Sequence, residues 1–125
     1  MQRIMIIEDN ADLRLDLTEQ VSDLGYQSIP VTDFERIIEH FIEEKPDLVL
    51  LDVKLPFFDG FYWYRQIREY SKCPIVYLWH HEDATRGLQV AREGRKSTGD
   101  ILPLTSEMLR TTLTQHLKNR LKLND

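Results

Sequence analysis

Asp47-Leu48-Val49-Leu50-Leu51, running directly into Asp52, is the stretch that decides the fold. Four aliphatic side chains follow one another with no polar alternate, the mark of a strand covered on both faces in a parallel sheet. Arg3-Ile4-Met5-Ile6-Ile7 upstream and Pro74-Ile75-Val76-Tyr77-Leu78 downstream repeat the pattern. Between the first two runs, Leu13, Leu17, Val21 and Leu24 recur at helical spacing and stop at Gly25, where a helix ends. Gln27 to Val31 is a weaker strand. Thr32 or Asp33 then caps a helix carrying Phe34, Ile37, Ile38, Phe41 and Ile42, closed by Pro46.

Downstream, Asp59-Gly60 opens a third helix reaching about Tyr70. Thr105 or Ser106 caps a last one with Leu109, Leu113, Leu117 and Leu121 inward. A fourth helix near 84–93 and a fifth strand near 99–102 complete the alternation. Strand and helix repeated about five times predict an α/β, flavodoxin-like doubly wound fold, with a five-stranded parallel sheet of order 2-1-3-4-5 and helices on both faces.

At 125 residues the chain fits one domain with its own core. We read residues 1–121 as that domain and 122–125 as a linker or tail. Hydrophobic residues at 42% and charged residues at 30% make an ordinary globular balance, which argues against disorder. A net charge of −5 argues against a nucleic-acid-binding surface in this segment. Cys73 is the single cysteine, so no internal disulfide forms, and it reads as an inert thiol beside Pro74. No apolar run reaches membrane-spanning length and Met1-Gln2-Arg3 does not begin a signal peptide, so the expectation is a cytoplasmic, soluble protein with no membrane partner.

Open parallel sheets bind ligands beyond the carboxyl ends of their strands, where the strand order reverses. Glu8-Asp9 follows the first strand and Asp52 ends the third, its neighbour in the proposed order. Three carboxylates on one rim raise one another's pKa unless a cation is present, and a hard divalent ion such as Mg²⁺ takes oxygen ligands. A free Asp52 oxygen would then be able to attack phosphorus and form an aspartyl phosphate. The plainer alternative is that Asp9 or Asn10 only caps the following helix.

Asp52-Val53-Lys54-Leu55-Pro56-Phe57-Phe58-Asp59-Gly60, with Glu8-Asp9 upstream, resembles the signature of response-regulator receiver domains of the CheY-like kind. The resemblance covers residues 1–78. Asp59 to Arg68 is further similar to OmpR-type two-component regulators of the envelope-stress and antimicrobial-peptide branch. The resemblance implies that Glu8, Asp9, Asp52 and the backbone carbonyl of Lys54 bind Mg²⁺, and that Asp52 is the phosphoacceptor for a histidine kinase. Any chemistry of the chain's own is then limited to self-phosphorylation and autodephosphorylation at Asp52. OmpR-type proteins continue into a winged-helix domain, so DNA is contacted only through a domain not present here, and transcription is regulated through it.

Beyond residue 78 the chain departs from that pattern. Receivers place a hydroxyl residue at the end of the fourth strand, an aromatic on the fifth and a Lys before a Pro. Here Trp79, Gly99 and Leu102 stand at those three positions, which are degenerate for the switch. A charge-assisted bond from the missing Lys contributes roughly 1.5–3 kcal/mol. Arg86, Arg95 and Lys96 offer substitute cations, though basic residues in a polar loop usually stay solvated.

Three readings follow: a pseudo-receiver acting without phosphate, a receiver that takes phosphate but signals differently, and a segment scrambled by a compensated frameshift. The pseudo-receiver would be a dimerisation or protein-interaction module, with a homodimer through the face of the fourth helix, fifth strand and fifth helix. A metal-dependent hydrolase is disfavoured because no further acid, base or Lys converges on the rim. His80-His81 reads as a solvated loop, since adjacent side chains point apart. Phe61 and Tyr64 are expected in the core, and Phe57 and Phe58 form an exposed apolar rim suited to a kinase helix.

Overall fold

The computed structural model describes residues 1–80, 99–101 and 104–124, with side chains given for 1–80 and 104–118. These residues include five strands: β1 (Arg3–Ile7), β2 (Gln27–Pro30), β3 (Leu48–Asp52), β4 (Ile75–Trp79) and β5 (Gly99–Ile101). Four helices accompany them among the described residues: α1 (Ala11–Asp23), α2 (Ile37–Glu44), α3 (Gly60–Arg68) and α4 (Ser106–Asn124). All strand pairs are parallel and the sheet order is β2-β1-β3-β4-β5. The doubly wound expectation is met. The helix expected near 84–93 lies outside the described residues.

Every residue of β3 and β4 is buried, as unbroken apolar runs require. Their side chains alternate between two cores. Met5, Ile7, Val49, Leu51, Ile75, Tyr77 and Trp79 face one way, against Ile37 and Phe41 of α2 and Trp63 and Ile67 of α3. Ile4, Ile6, Leu48, Leu50, Val76 and Leu78 face the other, against Leu17 and Val21 of α1 and Leu109, Leu113 and Leu117 of α4. Each such Ile or Leu contributes roughly 1.5–3 kcal/mol by leaving water. The Leu121 side chain lies outside the described set. Cys73 is buried, its Sγ 3.5 Å from the Pro46 carbonyl oxygen.

The second helix departs from the sequence expectation. Neither Thr32 nor Asp33 caps it: Asp33 closes a turn of its own, its carboxylate accepting from the Glu35 N–H and its carbonyl from the Arg36 N–H. Helix α2 starts at Ile37 behind Arg36, without a side-chain cap. Phe34 and Ile38 pack at the edge of the core, and Ile42 turns outward at 47% exposure.

Helix α2 ends at Lys45, whose φ of 47° is left-handed, with its N–H donating to the Phe41 carbonyl. That conformation costs an L-residue with a side chain roughly 1–2 kcal/mol and a glycine almost nothing. Lys45→Gly is therefore expected to raise the melting temperature by about 2–5 °C. An unchanged or lower melting temperature in a calorimetric scan would count against a strained cap.

Candidate functional site

Ile7 pairs with Leu51 across β1 and β3, so Glu8 and Asp52 leave the sheet side by side at its carboxyl edge. Both are fully buried, the two buried charged residues among those described. Asp52 is held by the Lys54 N–H, which donates to Oδ1 at 3.0 Å. Glu8 is fixed from two sides: its Oε1 accepts from the Asn10 N–H at 3.1 Å and its carbonyl oxygen from Arg14 Nη1 at 3.0 Å. Asn10 also caps α1, its side chain accepting from the Leu13 N–H. Capping thus falls to Asn10, and the exposed Asp9 joins the acidic rim.

Ligand atoms of Glu8, Asp9, Asp52 and His80 all lie within 4.8 Å of one another. The solvated-loop expectation for His80 is overturned. Its Nε2 is 3.2 Å from Asp52 Oδ2 and 3.5 Å from Glu8 Oε1, and its side chain is only 20% exposed. The physical reason is register: Asp52 pairs with Leu78, so residue 80 stands two positions beyond the acceptor strand's end. There the chain has left the sheet, and the imidazole reaches the acidic rim. His81 lies outside the described residues.

Electrostatics in the site are unfavourable without a cation. Burial pushes the Glu8 carboxyl above its ordinary value, against the opposing Asn10 N–H. Burial likewise pushes Asp52 up to about 9; the Lys54 N–H opposes this and the negative charge of Glu8 adds to it. Glu8 Oε2 is buried with no hydrogen-bond partner among the described residues. An orphaned buried carboxylate oxygen beside two more carboxylates is a donor set that fits a hard divalent ion.

The loop after β3 carries the site on its back. Asp59 caps α3, accepting from the Tyr62 N–H at 2.9 Å, and the Gly60 N–H donates to the Val53 carbonyl at 2.9 Å. The start of α3 is thereby pressed against the end of β3. Phe57 and Phe58 are exposed at 72% and 50%, as the sequence suggests, with Phe58 stacked on Tyr62 at 4.2 Å between ring centroids. Phe61 and Tyr64 are partly buried, while Gly60, Trp63 and Ile67 are the buried members of the helix.

A family model for the response regulator receiver domain matches residues 4–98. The chain belongs to the response-regulator receiver family. Receivers of two-component systems take phosphate from histidine kinases and bind Mg²⁺ in an acidic pocket, and this receiver has such an acidic group in Glu8, Asp9 and Asp52.

It is similar to the transcriptional regulatory protein YxdJ of Bacillus subtilis, 46% identical over 78 residues, which are 62% of this chain and 34% of that one. It is also similar to the sensory transduction protein BceR of Halalkalibacterium halodurans, 44% identical over 85 residues, 68% of this chain and 37% of that one. The receiver therefore spans about a third of the length of these relatives. Among solved structures, the N-terminal domain of the nisin resistance regulator NsrR superposes with a TM-score of 0.80 at 27% identity, covering 94% of this chain and 98% of that one.

Of the positions where the receiver pattern breaks, Trp79 ends β4 and is 4% exposed, its ring 5.8 Å from Phe61 and 6.1 Å from Tyr77. Gly99 opens β5 opposite Tyr77. Leu102 lies outside the described residues, as do Arg86, Arg95 and Lys96. No helix among the described residues is long and apolar enough to cross a membrane.

Proposed function

We propose that Asp52 accepts a phosphoryl group from the phosphohistidine of a histidine kinase, with Mg²⁺ held by Glu8, Asp9, Asp52 and the backbone carbonyl of Lys54. The observation that carries this reading is the burial of Glu8 and Asp52 side by side at a strand-end rim, with Glu8 Oε2 unpartnered among the described residues. Burying two carboxylates together is costly unless a bound proton or a cation compensates them, and a cation is what leaves Asp52 ionised for attack.

Asp52 Oδ1 is engaged by the Lys54 N–H, which leaves Oδ2 as the attacking oxygen. Its lone pair forms the O–P bond while the P–N bond breaks and its electrons return to the kinase imidazole. Mg²⁺ held by these residues would supply positive charge that keeps the carboxylates ionised and offsets charge on the phosphoryl oxygens. Because His80 Nε2 rests on Oδ2, the imidazole has to leave that oxygen before attack. Phe57 and Phe58, exposed beside the acceptor, offer the kinase an apolar contact.

The biological role that fits is cytoplasmic signalling to transcription, through a DNA-binding domain of the full-length protein. The similarity to the nisin resistance regulator NsrR favours a branch responding to antimicrobial peptides.

The test is phosphotransfer in Mg²⁺ from a phosphorylated histidine kinase, read by mass spectrometry of the intact chain. Wild type is expected to gain one hydroxylamine-labile phosphoryl group and Asp52→Ala none. Wild type that gains no phosphoryl group and binds no beryllofluoride with Mg²⁺ would sink the proposal.

A second reading is favoured by Trp79, whose ring is locked among Phe61 and Tyr77 where receivers carry a hydroxyl. With the hydroxyl replaced, phosphate at Asp52 lacks its usual route to the rest of the domain. The chain then acts as a phosphorylation-independent interaction or dimerisation module. Sedimentation with and without beryllofluoride separates the two readings: a dimer that forms equally in both conditions supports the second.

A further inference from the structure

We propose that His80 is a metal ligand, completing a three-carboxylate, one-imidazole site that favours a first-row transition cation of the Mn²⁺-to-Zn²⁺ series over Mg²⁺. This deepens the Mg²⁺ reading and rests on its metal half alone, not on phosphoryl transfer.

Two independent observations meet at one point. In the acidic group, the Glu8 Oε2 atom is fully buried beside Asp52 and has no hydrogen-bond partner among the described residues. Opposite it stands an imidazole whose described polar contacts are all to this group: Nε2 lies 3.2 Å from Asp52 Oδ2 and 3.5 Å from Glu8 Oε1. A neutral imidazole satisfies one carboxylate oxygen as a donor. As a ligand it would instead turn its lone pair, with the oxygens, toward a shared cation.

The dimensions suit that role. Metal–ligand bonds of 2.0–2.1 Å put opposite ligands of a six-coordinate ion roughly 4.2 Å apart. The four ligand atoms already lie within 4.8 Å of one another, so they are gathered around one point before a cation enters. Such closeness before any cation is added means little ordering on binding.

Ligand chemistry then sets the selectivity. Magnesium keeps water and oxygen ligands and gains little from nitrogen, whereas imidazole suits Fe²⁺, Co²⁺ and Zn²⁺. Replacing one water by His80 therefore raises affinity along that series far more than for Mg²⁺. The residue that earns this place is the first after β4, and the Leu78–Asp52 pairing brings it over the rim.

The experiment titrates the chain with Co²⁺, followed by its visible absorption, and with Mg²⁺ by calorimetry, in wild type and His80→Ala. The expected result is a fall of about tenfold or more in the ratio of Co²⁺ to Mg²⁺ affinity in the variant. His80→Gln serves where the alanine variant does not fold. Zn²⁺ is also expected to shift one imidazole Nε2 resonance of wild type, assigned to His80 by its loss in the variant.

An unchanged affinity ratio together with an unshifted His80 resonance overturns the proposal. If that happens while beryllofluoride and Mg²⁺ still bind wild type, the phosphoacceptor reading survives by itself. If Co²⁺ binds through His80 while beryllofluoride does not bind, the ligand assignment stands and the phosphoacceptor reading falls.

Discussion

Asp52→Asn is expected to raise the melting temperature of the metal-free protein by roughly 5–10 °C while abolishing phosphoryl acceptance. The substitution is nearly isosteric: the amide oxygen still accepts from the Lys54 N–H, and the new NH₂ is a donor facing Glu8. What it removes is a buried ionisable acid. Burial, opposed by the Lys54 N–H and assisted by the charge of Glu8, puts the Asp52 pKa at about 9 against an ordinary 3.8.

An acid whose folded pKa is raised binds its proton more tightly when folded. Its contribution to stability is therefore intact below pH 4, where both states are protonated, and falls as pH rises from about 4 toward 9. Glu8 shifts in the same direction. At pH 7 the penalty is on the order of a few kcal/mol, which asparagine removes. Thermal melts of both proteins in chelator at pH 5, 7 and 9 check this. The gap should widen with pH for wild type and variant and narrow when Mg²⁺ stabilises wild type alone. A variant that melts below wild type at all three pH values would show that the carboxylate is not strained.

Gly60→Ala is expected to do the opposite, lowering the melting temperature by about 10 °C or more. A Cβ at this position would lie 2.5 Å from the Asp52 carbonyl oxygen, 2.8 Å from Val53 Cα and 3.1 Å from the Asp52 carbonyl carbon. All three are backbone atoms of the acceptor strand's end, and no side-chain rotation relieves them. Either helix α3 withdraws, stretching the Gly60–Val53 hydrogen bond, or the strand end that carries Asp52 shifts. Divalent-cation affinity should accordingly fall by tenfold or so even in the fraction that stays folded.

Gly25→Ala is the informative comparison. No atom lies within 4 Å of a Cβ there, and only its φ of +96° resists a side chain, so the cost is limited to roughly 1–2 kcal/mol. Equal losses for the two glycines, measured by denaturant unfolding, would refute the steric account of Gly60.

The sheet order and the carboxylates were legible because they depend on local runs and chain order. Unbroken aliphatic stretches at 4–7 and 48–51 admit few arrangements other than adjacent buried strands, and that adjacency alone brings Glu8 to Asp52. The start of α2 was not legible, because Asp33 is as suited to a turn as to a cap, and helical periodicity from Phe34 onward does not choose between them. His80 escaped for a different reason. Side-chain alternation describes residues inside a strand, and His80 lies just past one, where direction depends on pairing with β3. The usable signal was register: Asp52 opposite Leu78 leaves residue 80 over the acids.

The position of Trp79 gives the molecule an optical gauge. The chain has two tryptophans, and this one is buried in an aromatic cluster while its backbone joins directly to the imidazole beside Asp52. Whatever moves His80, whether a cation shared with the acids or a phosphoryl group on Asp52, pulls on the residue that carries that indole. Its emission therefore reports occupancy of a site that the indole itself does not line, and Trp63→Phe leaves it as the single emitter.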